Sequence, residues 1–259
     1  MVQNFRHNEI LKRAREQGNV VVEDLARHFG VTLQTIRRDL TELCDAGRLT
    51  RVYGGAVLPS GVSNIGYEER RVLNAEAKEA IARRIAEDIP NAASVFLNIG
   101  TTTEAVARAL LRHRDLMVVT NNLNVANILA ANDSVEVIVA GGVLRRADGG
   151  LVGDVTLEMV RHFKVDIAVI GTSALDEEGD LLDFDFREVR VSQAIIRQAR
   201  ASYLAADASK FTRTAPVRIA ALSEIDAFYT DAPPPDPVMA LCRDWGTRIA
   251  IAEAAAARA

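Results

Sequence analysis

The sequence predicts an α/β chain in two parts: a small helical head that ends in a β-ribbon, and a larger body built on a parallel sheet. Three observations carry that prediction. Residues 1–57 hold three helix-like patterns, then alternating residues around Gly54-Gly55. From Ala75 onward, short and almost wholly apolar runs alternate with helical patterns, as strands covered on both faces do. Between the two, Pro59, Ser60, Gly61, Ser63, Asn64 and Gly66 precede the cluster Glu68-Glu69-Arg70-Arg71, a connector composition. The expected division is therefore 1–57, 58–74 and 75–259.

The head reads as follows. Asn8–Gln17 spaces Ile10, Leu11 and Ala14 as one helix face, and Gly18 stops it. Val20–Val22 is a short β-branched run. Glu23–Phe29 turns Leu25, Ala26 and Phe29 inward, and Gly30-Val31 gives a tight turn. A third helix runs from Thr32, its N-cap, to about Ala46, with Gly47 just beyond. At 100° per residue, Leu33, Ile36, Leu40 and Leu43 share one face. Gln34, Arg38 and Thr41 lie opposite, with Thr35 and Arg37 on the flanks. Leu49–Tyr53 then alternates as a strand and Gly54-Gly55 turns it. Three helices with flanking β segments describe a winged helix-turn-helix. Arginines near the start of such a helix suit phosphate oxygens or guanine edges, and glutamine suits adenine. Gln34, Thr35, Arg37, Arg38, Thr41, Arg51 and Tyr53 are therefore the candidate contacts to double-stranded DNA.

Charge agrees. The chain carries a formal net charge of −4, yet residues 1–59 hold nine Lys/Arg against seven Asp/Glu, +2, which leaves −6 for the remainder. A mildly basic head on an acidic body suits a small local nucleic-acid surface. Two cysteines, Cys44 and Cys242, make no disulfide framework and fit a reducing cytoplasm. Cys44 reads as a small core filler. The four histidines, His7, His28, His113 and His162, are scattered without metal-ligand spacing, so no metal is expected. With no apolar N-terminal segment and no run of spanning length, the chain is expected to be soluble, with no membrane partner.

In the body, a helix at Ala75–Asp88 is closed by Pro90. Strand-like runs follow at Ser94–Ile99, Met117–Thr120, Val135–Ala140, Asp166–Gly171, Tyr203–Ala206, Ala227–Thr230 and Arg248–Ala252. Helical patterns at Glu104–Arg112, Val125–Ala130 and Val189–Ala199 separate several of them. Ligands of such sheets bind at the carboxyl ends of the strands. Those ends read Gly100-Thr101-Thr102-Thr103, Thr120-Asn121-Asn122, Gly141-Gly142 and Gly171-Thr172-Ser173. Backbone N–H groups at a helix start, with hydroxyls beside them, form an anion cradle. Any one of these turns also has a capping explanation, but four on one edge favour a small phosphorylated ligand. No GxGxxG and no GxxxxGK[ST] occurs, which argues against dinucleotides and nucleotide hydrolysis, and no cofactor is expected. Arg145, Arg146, Asp148, Asp183, Asp185, Arg187, Glu188 and Lys210 are charged groups placed to complete the pocket. The carboxylates serve equally as helix N-terminal caps, and Lys210 equally as a solvated side chain.

The segments TIRRDLTEL and GRLTRVYGGA resemble the winged helix-turn-helix of the deoxyribose-operon repressor (DeoR) family of bacterial regulators. IGTTTEAVA, VVTNNLNVA, AGGVLR, LVGD, DASKF and YTDAPPP resemble that family's sugar-phosphate-binding sensor domain, related in fold to ribose-5-phosphate isomerase. Within the family, RHNEIL, TNNLNVAN, LLDFDFREVR and DAFYTDAPPP are most similar to the branch governing glycerol 3-phosphate metabolism. The resemblance implies a repressor that binds operators as a homo-oligomer, dimer or tetramer, and leaves them when sn-glycerol 3-phosphate occupies the sensor. It implies ligand contacts at Gly100, Thr101, Thr102, Thr120, Asn121, Gly141, Gly142 and Lys210, and the pocket reading adds Arg145, Asp148, Ser173 and Glu188. Asn98, Ala174 and Thr212 depart from the family pattern, which has aspartate, glycine and glycine there. A regulator of another sugar-phosphate operon is the alternative within the family. A sugar-phosphate isomerase with an accessory head is the alternative outside it, since Asp183, Asp185 or Glu188 supplies a candidate general base.

Overall fold

The computed structural model describes residues 2–17, 19–46, 48–52, 54–57 and 66–253. Gly18, Gly47, Tyr53 and the connector residues Pro59, Ser60, Gly61, Ser63 and Asn64, all given roles above, lie outside the described residues.

The head comprises α1 (Val2–Gln17), β1 (Asn19–Val21), α2 (Val22–Phe29), α3 (Leu33–Asp45), β2 (Thr50–Val52) and β3 (Gly55–Val57). Helix α1 starts well before Asn8, because Arg6 and His7 sit within it and both reach the buried Asp39 of α3. Val22 joins α2 rather than the strand, with its side chain buried. Gly30 ends α2 in the left-handed conformation, φ 63°. The ribbon is a three-stranded antiparallel sheet in the order β1-β3-β2. Gly55 is required there: a Cβ would lie 2.0 Å from the Val20 carbonyl oxygen of β1. Ile10, Leu11, Leu25, Ile36, Leu40 and Leu43 close the core of the head. Leu33 is a correction. It opens α3 ahead of the turns that pack, and stays 41% exposed.

The connector also holds a surprise. Residues read as an irregular linker form α4 (Tyr67–Val72), with Glu68 and Glu69 in its first turn and Arg70 and Arg71 in its last. That order of charges complements the helix dipole.

The body continues with α5 (Ala75–Asp88), β4 (Ser94–Leu97), α6 (Thr101–Ala109), β5 (Met117–Thr120), α7 (Leu123–Leu129) and β6 (Glu136–Val139). A hairpin of β7 (Val143–Arg145) and β8 (Gly150–Val152) leads to α8 (Asp154–Arg161) and β9 (Val165–Ile170). Then come β10 (Ala174–Leu175), β11 (Asp180–Asp183), α9 (Phe186–Arg197), β12 (Ala199–Ala205) and β13 (Val217–Ala221). Strand β14 (Ala227–Thr230), α10 (Asp236–Trp245) and β15 (Arg248–Ile251) complete it. The hairpin, α8 and α10 were not expected. Neither was the small antiparallel sheet β10-β11-β13.

Seven strands pair in parallel in the order β15-β14-β12-β9-β4-β5-β6. Alternate residues feed two cores. Val95 and Leu97 meet Ile81 and Ile85 of α5, Val106 of α6 and Leu110 just beyond it on one face. Phe96 meets Val160, Val189, Ile195 and Val238 of α8, α9 and α10 on the other. The chain lays strands outward from β4 through β5 to β6, then returns and builds the other way from β9. The gap beyond β4 and β9 is thus the topological switch point, where open α/β sheets bind ligands. Among the described residues, no helix is long and apolar enough to cross a membrane, and no cluster of side chains has the makings of a metal site.

Candidate functional site

Two surfaces matter. On the head, Thr32 caps α3 by accepting from the Thr35 N–H at 3.2 Å, and the two threonine hydroxyls lie 2.9 Å apart. The Thr35 hydroxyl is therefore engaged in the cap. Thr41 donates to the Arg37 carbonyl at 2.8 Å. Gln34, Arg37, Arg38 and Thr41 are exposed on the face opposite Ile36, Leu40 and Leu43, and Arg51 is exposed on the ribbon. Arg38 pairs with Glu42 at 3.1 Å, an exposed contact that a phosphate can displace.

What fixes α3 is beneath it. Asp39 is 1% exposed and takes Arg6 Nε at 2.5 Å, Arg6 Nη2 at 3.0 Å and His7 Nε2 at 3.3 Å. Sequence reasoning missed this carboxylate. The signal was its position between Ile36, Leu40 and Leu43 on the packed side.

In the body, a polar cleft lies at the switch point. Of the residues singled out from sequence, Gly100, Thr101, Thr102, Gly171, Thr172, Ser173, Asp183, Glu188 and Lys210 line it. Gly100 holds φ 149°, a conformation open to glycine, and its carbonyl accepts from Glu104 N at 3.0 Å as α6 begins. Thr103 is turned away, donating to the Asn98 and Gly100 carbonyls at 2.7 Å each. Thr101 and Thr102, with the first N–H groups of α6, face the cleft. Asn98 anchors this turn from behind. Its Oδ1 accepts from Ile99 N and its Nδ2 donates to Ser192, both at 2.7 Å. The departure at 98 thus keeps the loop tied without adding a negative charge.

Thr120, Asn121, Gly141 and Gly142 lie elsewhere. Thr120 donates to the Leu97 carbonyl at 2.7 Å, and Asn121 Nδ2 to the Leu151 carbonyl at 3.1 Å. Gly142 abuts α8, where a Cβ would stand 2.0 Å from Thr156 Oγ1. Arg145 and Asp148 line an adjoining cleft, with Asp185 and Glu188. There Arg145 gathers three carboxylates: Asp148 at 2.6 Å, Asp185 at 3.3 Å, and Glu188.

The cleft also contains groups that sequence reasoning did not place in it: Arg70, Lys78, Asp207 and Arg213. Lys78 carried a signal, since helical spacing sets it on the face of Ile81 and Ile85. Arg70 carried none. Lys210 is not a solvated lysine. Burial pushes it down to about 7, and Arg213, Lys78 and Arg70 add to that against the pull of Asp207. Burial likewise lowers Lys78 to about 8, with Arg213 and Arg70 adding. Burial raises Glu188 to about 8, helped by Asp183 and opposed by Arg145. Asp207 sits below its usual range: burial opposes, but Lys210 and hydrogen bonds from Ser209 and Asn74 outweigh it.

The signs follow. Lowered lysines contribute stability that is complete above their ordinary 10.5 and is lost as pH falls through about 7 to 8. A raised Glu188 contributes stability that is complete below its ordinary 4.5 and is lost as pH rises through about 8. Near neutrality these opposed contributions are together at their smallest. A bound anion restores the lysine charge, so binding is expected to take up protons between the shifted values, about 7 to 8, and ordinary lysine values. Calorimetry at pH 8 in buffers of differing ionisation enthalpy measures this directly. Identical heats in all buffers would mean that both lysines are already charged.

Two family models match the chain: a DeoR-like helix-turn-helix domain over residues 6–62, and a DeoR C terminal sensor domain over residues 73–232. The glycerol-3-phosphate regulon repressor of Escherichia coli (strain K12) is 48% identical over 244 residues, covering 94% of this chain and 97% of its own. The repressor of the same name from Haemophilus influenzae is 44% identical, covering 89% and 90%. The HTH-type transcriptional repressor CsqR of Escherichia coli is 38% identical, covering 93% and 92%. Among solved structures, ribose 5-phosphate isomerase A from Methanocaldococcus jannaschii aligns over 53% of this chain and 55% of its own, with TM-score 0.40 and 13% identity. These relatives in sequence are transcriptional repressors, not enzymes, and the isomerase alternative is set aside on that ground.

Proposed function

The chain belongs to the DeoR family of transcriptional repressors, and from that premise we propose that it represses genes of glycerol and glycerol 3-phosphate metabolism, with sn-glycerol 3-phosphate as inducer. The composition of the cleft carries this reading. One helix start and the cations Arg70, Lys78, Lys210 and Arg213 suit a phosphate. Asp183, Glu188, Thr172 and Ser173 suit the hydroxyls of a small polyol. Similarity to two repressors of that regulon supports the same ligand.

The protein acts in the cytoplasm as a homo-oligomer. Two copies of α3 enter successive major grooves about one turn (~34 Å) apart, with the ribbons along the backbone. The inducer binds better to the arrangement in which the heads do not match that spacing. This difference sets the loss of operator affinity, roughly 5–150-fold for a coupling of ~1–3 kcal/mol.

The direct test titrates a complex of the protein with its upstream DNA against sn-glycerol 3-phosphate, glycerol, fructose 1-phosphate and ribose 5-phosphate. Selective release by sn-glycerol 3-phosphate is the expected result. Release by a different sugar phosphate would keep the family and replace the regulon. Arg38→Ala is expected to weaken operator binding by about 1–3 kcal/mol and to leave inducer affinity as it is. Operator affinity equal to that of the wild type would remove Arg38 from the reading face.

A further inference from the structure

Helix α4 follows the connector, and contacts invisible in its charged sequence fasten it to the cleft. The Arg70 carbonyl accepts from Lys78 Nζ and from Thr101 Oγ1, the latter at 3.4 Å. The Leu73 carbonyl accepts from Lys78 Nζ at 2.6 Å. Arg70 Nη2 reaches Asp148 at 3.2 Å. Tyr67 donates to Glu104 at 3.0 Å and accepts from Asn124 at 2.9 Å. Lys78, Thr101 and Arg70 all line the cleft as well. Two donors there are not committed. An ammonium has three protons, and Lys78 spends two on the carbonyls of Arg70 in α4 and of its C-cap Leu73. Arg70 Nε is buried and has no hydrogen-bond partner among the described residues. Buried cationic N–H groups require an acceptor, and a ligand in this cleft brings one.

Resting on the inducer reading above, we propose that Arg70 is an inducer-binding residue and that α4 reports occupancy of the cleft. The anionic group of the ligand takes the Arg70 Nε–H and the third Lys78 proton, so one ligand holds α4 from its guanidinium and through its carbonyls together. Filling the cleft then fastens to the body the helix through which the chain passes from the head. The heads of an oligomer lose part of the freedom with which they match an operator. The lowered Lys78 agrees with this, because an anion beside it restores the ammonium that grips α4.

Backbone hydrogen exchange with and without saturating sn-glycerol 3-phosphate, and with inorganic phosphate as a second probe, tests the proposal on the full-length protein. Amides of residues 70–73 are expected to gain at least about tenfold protection on binding. Arg70→Gln is expected to weaken binding of either probe by about 10–150-fold, the range for one hydrogen bond to a charged group, and to abolish that gain. Arg70→Lys, which keeps the charge but lacks the guanidinium fork, is expected to recover only part of the affinity. Thermal melts establish that each variant is folded. If the wild type binds a probe calorimetrically with no change in α4 exchange, or if Arg70→Gln binds as tightly, the proposal is overturned. If phosphate binds and sn-glycerol 3-phosphate does not, the inducer reading fails, and the exchange result with phosphate still decides the role of α4. Binding of neither probe overturns both.

Discussion

Lys210→Met is expected to yield a repressor that leaves its operator only at inducer concentrations roughly 10–150-fold above those the unaltered protein needs. The lysine sits in the cleft wall, pushed down to about 7 by burial, so only the arrival of an anion makes its full charge favourable. Methionine preserves its length and removes that charge. Losing a hydrogen bond to a charged group costs about 1.5–3 kcal/mol, so inducer affinity is expected to fall by roughly 10–150-fold. Its neighbour Asp207 keeps the donors Asn74 Nδ2 at 2.9 Å and Ser209 N at 3.2 Å, so the turn stays in place. The proton uptake expected at pH 8 should shrink in parallel, leaving the share of Lys78. Calorimetry and operator titration read the two halves separately. Wild-type inducer affinity in this variant would place the phosphate elsewhere.

Asp39→Ala is expected to produce the opposite phenotype: inducer still bound, DNA binding gone. The carboxylate lies beneath the reading helix and holds Arg6 through two hydrogen bonds, with His7 beside it. Removing it leaves a part-buried guanidinium without its carboxylate, and each hydrogen bond between charged groups is worth about 1.5–3 kcal/mol. A domain of this size has little surplus, since small cores bury a modest share of their surface. The loss is therefore of the order of the head's whole stability. Denaturation followed by circular dichroism should show the head melting apart from the body. Asp39→Asn, which still accepts one hydrogen bond, should fall between. An Asp39→Ala head that melts with the wild type would show that α3 is held by its apolar face alone.

These two side chains also show where the sequence was legible. Helix α5 was read to its ends, because its apolar stripe and Pro90 both speak locally. The parallel strands were read as a class, because burial on both faces leaves a run of apolar residues. Helix α4 was taken for linker. Six residues with four charges carry no apolar period, and what seats them is Glu104, Asp148 and Lys78, far along the chain. The β7–β8 hairpin escaped for a related reason, its three-residue strands being too short to show alternation. Thr120 illustrates a different limit. Turn chemistry and ligand chemistry use the same residues, and only geometry reveals that its hydroxyl is given to the Leu97 carbonyl. Asp39 and Lys78 were legible in principle, as charged residues standing in the phase of a buried face.

The cleft is stitched from segments as far apart as Arg70 and Arg213, whereas the core of the head closes within residues 10–56. Chains fold from the N-terminus as they are made, at about 5–20 residues per second. The head is thus complete on the order of ten to thirty seconds before the last wall of the cleft emerges from the ribosome. A nascent chain carries a finished helix-turn-helix head while the cleft of the sensor domain is still unmade.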